Sequence, residues 1–273
     1  MKPTFAHQAA PLIVDVVRER NVRSAMACIR NGEYMGAKGF DLHLSCLDDE
    51  YKTEEAISQI VKCTDKPILA LNYNERLDYS KFETTEEERI GLLLMAARAG
   101  VSAIDIQGYT FDLKSKTDYY GDKSYSFTKN NPKEVVTDKN VIEKQMELIE
   151  RMHHEGTEVL LSTHTGIFMS ADEVVDMALF LEKRNPDLLK IVTICENEDQ
   201  LAENFKTVIK LKNEVKTRFT YHCAGKAGKL SRIINPALGS YLVFAINRFS
   251  ESSSYEQLDL KTAVEVLGKL KAI

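Results

Sequence analysis

Short apolar, β-branched runs recur along this chain, and amphipathic stretches fill the gaps between them. The runs read "SAMACI" (24–29), "DLHLSCL" (41–47), "PILALNY" (67–73), "VSAIDIQ" (101–107), "TEVLLSTH" (157–164), "LLKIVTI" (188–194), "RFTYHC" (218–223) and "SYLVFAI" (240–246). Each has the length and composition of a buried strand. Between them lie helical patterns. "TEEAISQIVKC" places Ala56, Ile57, Ile60 and Val61 on one face. "TTEEERIGLLLMAARAG" opens on a threonine cap and stops at Gly100, and "SADEVVDMALFLEKRNP" opens on a capping box, Ser170 to Glu173, and stops at Pro186. Further helical runs fall at about 140–155, 198–213 and 258–271. Eight strands alternating with helices predict an α/β fold of the (β/α)8 TIM-barrel type, one domain over 1–273. A doubly wound sheet usually carries a glycine-rich turn after its first strand, and "CIRNGEYMGAKG" is a poor match to it.

Bulk properties narrow the function. With 273 residues, 44% of them apolar, the chain can bury one large core. The net charge of −5 is spread without a basic stripe, which argues against a nucleic-acid partner. Apolar runs such as "YLVFAI" are far too short to span a bilayer, and "MKPTFAHQAAPLIVDVV" lacks the clean apolar core of a signal peptide. A soluble, cytoplasmic protein without a membrane partner is expected. Cys28, Cys46, Cys63, Cys195 and Cys223 are odd in number and form no C-x-x-C pair, so they read as buried thiols rather than disulfides or a zinc ribbon. Monomer and homodimer both stand open. One connection is abnormally long. The polar, tyrosine- and lysine-rich segment 108–137 follows the fourth strand, and in a barrel it lies on the active face.

Strand C-termini of a barrel converge on one mouth. His43, Ser45, Asn72, Tyr73, Asp105, Gln107, Ser162, His164 and His222 fall there. Lys190 stands among Leu188, Val192 and Ile194 on the same face of its strand. Burial disfavours an ammonium relative to an amine, and a neutral amine attacks ketones and aldehydes to form a Schiff base. The iminium acidifies the neighbouring carbon, and a histidine can remove that proton. The plainer alternative has Lys190 reaching solvent at a strand start and His164 serving as a hydrogen-bonded loop residue.

The segments "EVLLSTHTGIF", "DLLKIVTI" and "GKAGKLSRIINPALGSYLVFA" decide between these readings. Together they resemble the type I 3-dehydroquinate dehydratases over about residues 157–262. The resemblance implies that Lys190 carries the imine, that His164 is the general acid/base, and that Arg232 holds a substrate carboxylate. It further implies that Ser253 and Gln257, from "SSYEQL", close over the substrate. His43, Asn72, Tyr73 and Gln107 are the remaining candidates for substrate contacts. The implied reaction dehydrates a cyclic β-hydroxy keto acid, 3-dehydroquinate or a close analogue, with no metal and no organic cofactor. The N-terminal half departs from the family pattern. An E-x-R pair is expected on strand two, where this chain reads "DLHLSCLDD", and an arginine is expected at the end of strand three, about where Tyr73 stands. Glu75 and Asp78 are candidates to orient His164, though neither falls at the matching position. Losing such charged contacts changes substrate choice strongly.

Two other classes compete. His43, His164 and His222, with Asp105 and Glu196, could hold a divalent metal in a barrel isomerase or hydrolase, but no close H-x-H pair exists and Lys190 would have no task. A barrel that binds a ligand without turnover is the third reading.

Overall fold

The structure, a computed structural model, describes residues 3–73, 85–112, 114–115, 128, 131–250, 253 and 256–270. Strands and helices alternate along it: β1 Leu12–Val17, α1 Val22–Met35, β2 Gly39–His43, α2 Glu54–Lys62, β3 Ile68–Leu71, α3 Glu86–Ala99, β4 Ala103–Gln107, α4 Lys139–His154, β5 Glu158–His164, α5 Ala171–Glu182, β6 Leu188–Ile194, α6 Glu198–Glu214, β7 Arg218–Ala224, α7 Gly228–Leu238, β8 Leu242–Ile246, β9 Leu258–Asp259 and α8 Leu260–Lys269. The strands pair in parallel in the order β7-β6-β5-β4-β3-β2-β1-β8-β9. This curled sheet with helices outside it is the expected (β/α)8 architecture.

The first expected strand is wrong. "SAMACI" lies inside α1, and β1 is "LIVDVV", which starts at Leu12 rather than at Ser24. Asn21 caps α1 by accepting from the Ser24 amide, and Gly36 ends it in the left-handed region at φ 100. Ala25, Ile29 and Gly32 form its buried stripe, a helical period that a six-residue window cannot show. Asp15 disguises β1. It is fully buried and accepts from the Asn247 backbone amide at 2.9 Å and from Asn247 Nδ2 at 2.7 Å. Burial pushes its pKa up to about 7 despite those bonds. Helix α7 also escapes the periodicity, since it is short and carries Pro236. The capping box expected at Ser170–Glu173 forms, and the threonine cap expected for α3 is Thr85, which closes a capping box with Glu88.

Period-two alternation sends one face of each strand into the barrel and the other against the helices. The floor of the barrel is apolar, with Leu12, Val14, Leu69, Leu160, Leu188 and Phe5 in one buried cluster. Phe5 is held there by the chain before β1. The Phe5 and Ala6 amides donate to Glu158, and Tyr241 Oη donates to the Phe5 carbonyl at 2.7 Å. This apolar layer leaves the described polar cluster around Lys190 on its upper side.

Strands β7 and β8 close the barrel through hydroxyls as well as backbone. The Tyr241 amide donates to the Phe219 carbonyl at 2.8 Å. Beside it, the Tyr221 amide donates to Ser240 Oγ at 3.0 Å and the Leu242 amide to Thr220 Oγ1 at 2.9 Å. These are buried donors, which are costly to leave unmet. Thr220→Val keeps the branched shape and removes the acceptor. It should destabilise the fold by about 1–3 kcal/mol, read from chemical denaturation. A change below about 0.5 kcal/mol, the range of a neutral surface substitution, would show that the seam does not depend on this hydroxyl.

Candidate active site

Lys190 is the third residue of β6, in register with Ser162 on β5 and Thr220 on β7. Its face of the strand points into the lumen, and it is 6% exposed. Nζ donates to Tyr73 Oη at 2.8 Å and lies 3.4 Å from Asp105 Oδ2. The amine also stands over the Phe244 ring at 4.8 Å from its centroid. Tyr73 follows β3 and Asp105 sits mid-strand on β4, so three strands supply the cluster. Tyr73 Oη donates to Asp105 Oδ2 at 2.5 Å, and Ser162 Oγ donates to Asp105 Oδ1 at 2.5 Å. Burial pushes the Asp105 pKa up, while the Lys190 charge and the Ser162 and Tyr73 hydrogen bonds pull against it. Burial and the Asp105 charge push the Tyr73 phenol well above its ordinary value, so it remains a phenol. A buried ion pair is tolerable when its remaining lone pairs and protons are met, and here both carboxylate oxygens are met.

His164 ends β5, two residues beyond Ser162 and on the same side. Its ring meets that of Tyr73 edge-on, with centroids 5.3 Å apart. Its backbone N–H donates to Glu134 Oε2 at 2.8 Å, and its Nδ1 lies 3.6 Å from the same oxygen. Burial, then the charges of Lys190 and Arg232, hold the His164 pKa well below its ordinary value. The imidazole is therefore neutral near pH 7, ready to accept a proton.

Glu134 was missed by sequence reasoning. It comes from the long connection after β4, is fully buried, and adopts a left-handed conformation at φ 53. A glutamate in a polar loop without periodicity carries no signal of such a placement. Two neighbours hold its segment down. The Gly166 amide donates to the Pro132 carbonyl at 2.8 Å. Gly108 lets the chain come close, since a Cβ there would stand 2.3 Å from the Glu134 carbonyl oxygen. Glu75 and Asp78, the sequence candidates for orienting His164, lie outside the described residues.

The other candidates divide. His43 and Asp41, two apart on β2, face each other with Nε2 and Oδ2 3.4 Å apart, and both are buried. Burial, then the Arg18 charge, lowers the His43 pKa to about 4 despite Asp41. Arg232 on α7 and His222 on β7 lie near His164, since the Arg232 charge depresses both histidines. His43 Nδ1, Asp41 Oδ1 and Arg232 Nε are buried without a hydrogen-bond partner. Asn72 and Gln107 instead meet a second hub, the buried Arg89 of α3. Asn72 Nδ2 donates to the Arg89 carbonyl at 3.3 Å, and Arg89 Nη1 donates to Gln107 Oε1 at 3.1 Å. Ser253 is turned back on Ser250, whose amide donates to Ser253 Oγ at 2.9 Å. Gln257 is buried beside Glu256, which accepts from the Gly225 amide at 3.0 Å. Among the described residues, no three His, Cys, Asp or Glu side chains gather in an arrangement that could hold a metal ion.

A parallel barrel whose mouth buries a lysine against a phenol and a carboxylate, beside a neutral histidine, brings together groups that can serve carbonyl chemistry. Comparison with known proteins narrows the class. The family model for type I 3-dehydroquinase matches residues 14–273, and the chain belongs to that family. A 3-dehydroquinate dehydratase from Coxiella burnetii is 30% identical over 115 residues, 41% of this chain. That match spans about half, 47%, of the Coxiella protein's length. The 3-dehydroquinate dehydratase of Dehalococcoides mccartyi is 24% identical over 232 residues, covering 85% of each chain. The crystal structure of 3-dehydroquinate dehydratase from Geobacillus kaustophilus superposes with a TM-score of 0.76 at 12% identity, over 97% of this chain and 95% of that one.

The contact between the loop and His164 has its own test. Gly108→Ala must push the Glu134 peptide away, and the His164 amide then loses its acceptor. Native-state hydrogen exchange of that amide should quicken by at least about tenfold, as expected where a local hydrogen bond opens. Unaltered protection would mean that Gly108 does not seat the loop.

Proposed function

We propose that this protein is a cytoplasmic hydro-lyase that dehydrates 3-dehydroquinate, or a close cyclic keto-acid analogue, through a Schiff base on Lys190. The observation that carries the proposal is a buried amine in the barrel lumen with a neutral histidine on the adjacent strand. Family membership supports it. Among the described residues, no helix is long and apolar enough to cross a membrane.

In this reading the Lys190 amine adds to the substrate ketone, and water leaves to give an iminium. The iminium withdraws electrons from the adjacent carbon, so a C–H bond there becomes acidic. Neutral His164 takes that proton, and the protonated imidazole then gives a proton to the departing β-hydroxyl. Glu134 steadies the imidazole by holding its backbone and facing Nδ1. Water finally hydrolyses the imine and frees the product. The iminium is itself the electron sink, so the route calls for no metal or organic cofactor.

Arg232, with a buried Nε that lacks a partner, receives the substrate carboxylate. His43 and Asp41 take ring hydroxyls as a neutral imidazole and a carboxylate, in place of the family's charged pair. Tyr73 stands where an arginine is expected, so substrate contacts there are fewer and neutral. Ser253 and Gln257 close from the segment before α8. Asn72 and Gln107 contribute through the Arg89 hub, which fixes the rim of the mouth.

The deciding experiment is reductive trapping. With 3-dehydroquinate and borohydride, the peptide containing Lys190 should gain the mass of the reduced adduct, and Lys190→Ala should gain none. Adduct that persists in the variant removes this assignment. His164→Ala should still be trapped, while elimination slows by about 10²–10⁴-fold, the span of a positioned acid/base.

The depressed His164 pKa fixes a sign. The base form survives as pH falls through 6.5, so the acid limb of kcat/KM should lie below that value. A limb above pH 6.5 would assign the proton transfer to another group.

A further inference from the structure

Proton handling at the nitrogen is a separate task from proton handling at carbon, and the site carries a separate device for it. Lys190 Nζ donates to Tyr73 Oη at 2.8 Å, and the phenol donates in turn to Asp105 Oδ2 at 2.5 Å. Lys190 thus reaches the carboxylate through the phenol and also by a longer direct contact of 3.4 Å. His164 meets the Tyr73 ring edge-on, and its Nδ1 faces Glu134.

We propose that Tyr73 is a catalytic residue for imine formation and hydrolysis, relaying protons between Lys190 Nζ, Asp105 and the ketone oxygen, while His164 serves the carbon step alone. The inference rests on the Schiff-base reading above and adds a second proton path to it.

The step balances without a co-reactant. Starting from the ammonium, Lys–NH3+ and a ketone give Lys–NH+=C and one water. Two of the three nitrogen protons therefore leave on the ketone oxygen. Nζ passes the first proton to Tyr73 Oη as the phenol passes its own to Asp105 Oδ2, which frees the nitrogen lone pair. The C–N bond then forms and the C=O π electrons move to oxygen. That oxygen is two covalent bonds from Nζ, within reach of a phenol already hydrogen-bonded to Nζ. Tyr73 returns the stored proton to it, the second nitrogen proton follows by the same relay, and the C–O bond breaks to release water. Hydrolysis runs the sequence backwards. Ser162 Oγ holds the other carboxylate oxygen at 2.5 Å, which keeps Oδ2 turned towards the phenol.

The test compares initial rates of borohydride trapping at Lys190 in the full-length protein, with two probes. One is 3-dehydroquinate; the other is glyoxylate, a small carbonyl that needs none of the ring contacts. Tyr73→Phe keeps the ring and removes the relay atom, and it should slow trapping by at least about tenfold with either probe. Asp105→Asn should slow it comparably. The double variant should be no slower than the slower single one, as expected of residues acting as one unit. A merely structural role predicts additive losses that track a fall in thermal midpoint. Tyr73→Phe trapping within about twofold of the unaltered protein overturns the proposal, and so does additivity in the double variant. If only glyoxylate labels Lys190, and labelling depends on Tyr73, the relay stands and the substrate assignment falls. If neither probe labels Lys190, both readings fall.

Discussion

A lysine and an aspartate are buried together in the lumen of this barrel, with one phenol hydrogen-bonded to both. Either charge alone at that depth would carry a large desolvation cost, and removing one partner strands the other. The fold around them is arranged accordingly. Parallel register brings Ser162 level with Lys190, so its hydroxyl can satisfy the second carboxylate oxygen. The floor of the barrel, with Phe5, is an apolar cluster. The rings of Tyr73 and Phe244 flank the amine, and His164 meets Tyr73 edge-on.

The same charge disciplines the histidines. Lys190 lowers the proton affinity of His43, His164 and His222 together, and Arg232 adds to the effect at the last two. Burial first, and these charges with that of Arg18 at His43, hold the three imidazoles neutral, so positive potential there comes from Lys190, Arg232 and Arg18. Asp105 is engaged by three donors and Glu134 by the His164 backbone, so these carboxylates do little to repel an anion. Cations set among neutral hydrogen-bonding groups make an electrostatic pattern that attracts an anion.

What could be read from the sequence follows from how local each signal is. Lys190 and His164 drew attention because a titratable residue inside an apolar, strand-length run is locally anomalous, and the family resemblance supplied their expected roles. Seven of the eight barrel strands were legible as short apolar, β-branched runs. β1 was not, because Asp15 breaks its run, and the residue that accommodates it, Asn247, lies at the other end of the chain. α1 was mistaken for a strand because its apolar stripe is three residues long and spread over two turns. Glu134 was invisible because its meaning is set by a backbone turn and a contact with β5, neither of which a polar loop encodes in composition. Asn72 and Gln107 were found as strand-end polar residues, but only coordinates reveal that Arg89 engages them.

The departures from the family pattern then acquire a common physical sense. An arginine at the end of β3 would bring a second cation close to Lys190. A tyrosine there brings a dipole instead, one that accepts from the amine and donates to the carboxylate. The E-x-R pair of β2 is likewise replaced by Asp41 and a histidine held neutral by burial and by Arg18. Both replacements lower the positive charge around the lysine while keeping a polar atom in reach of a ligand. Among the cations that still act at this mouth, Arg18 bears on His43, and Arg232 bears on His164 and His222. On the proposed reading Arg232 seats the substrate carboxylate and neutral groups read the remainder of the ring.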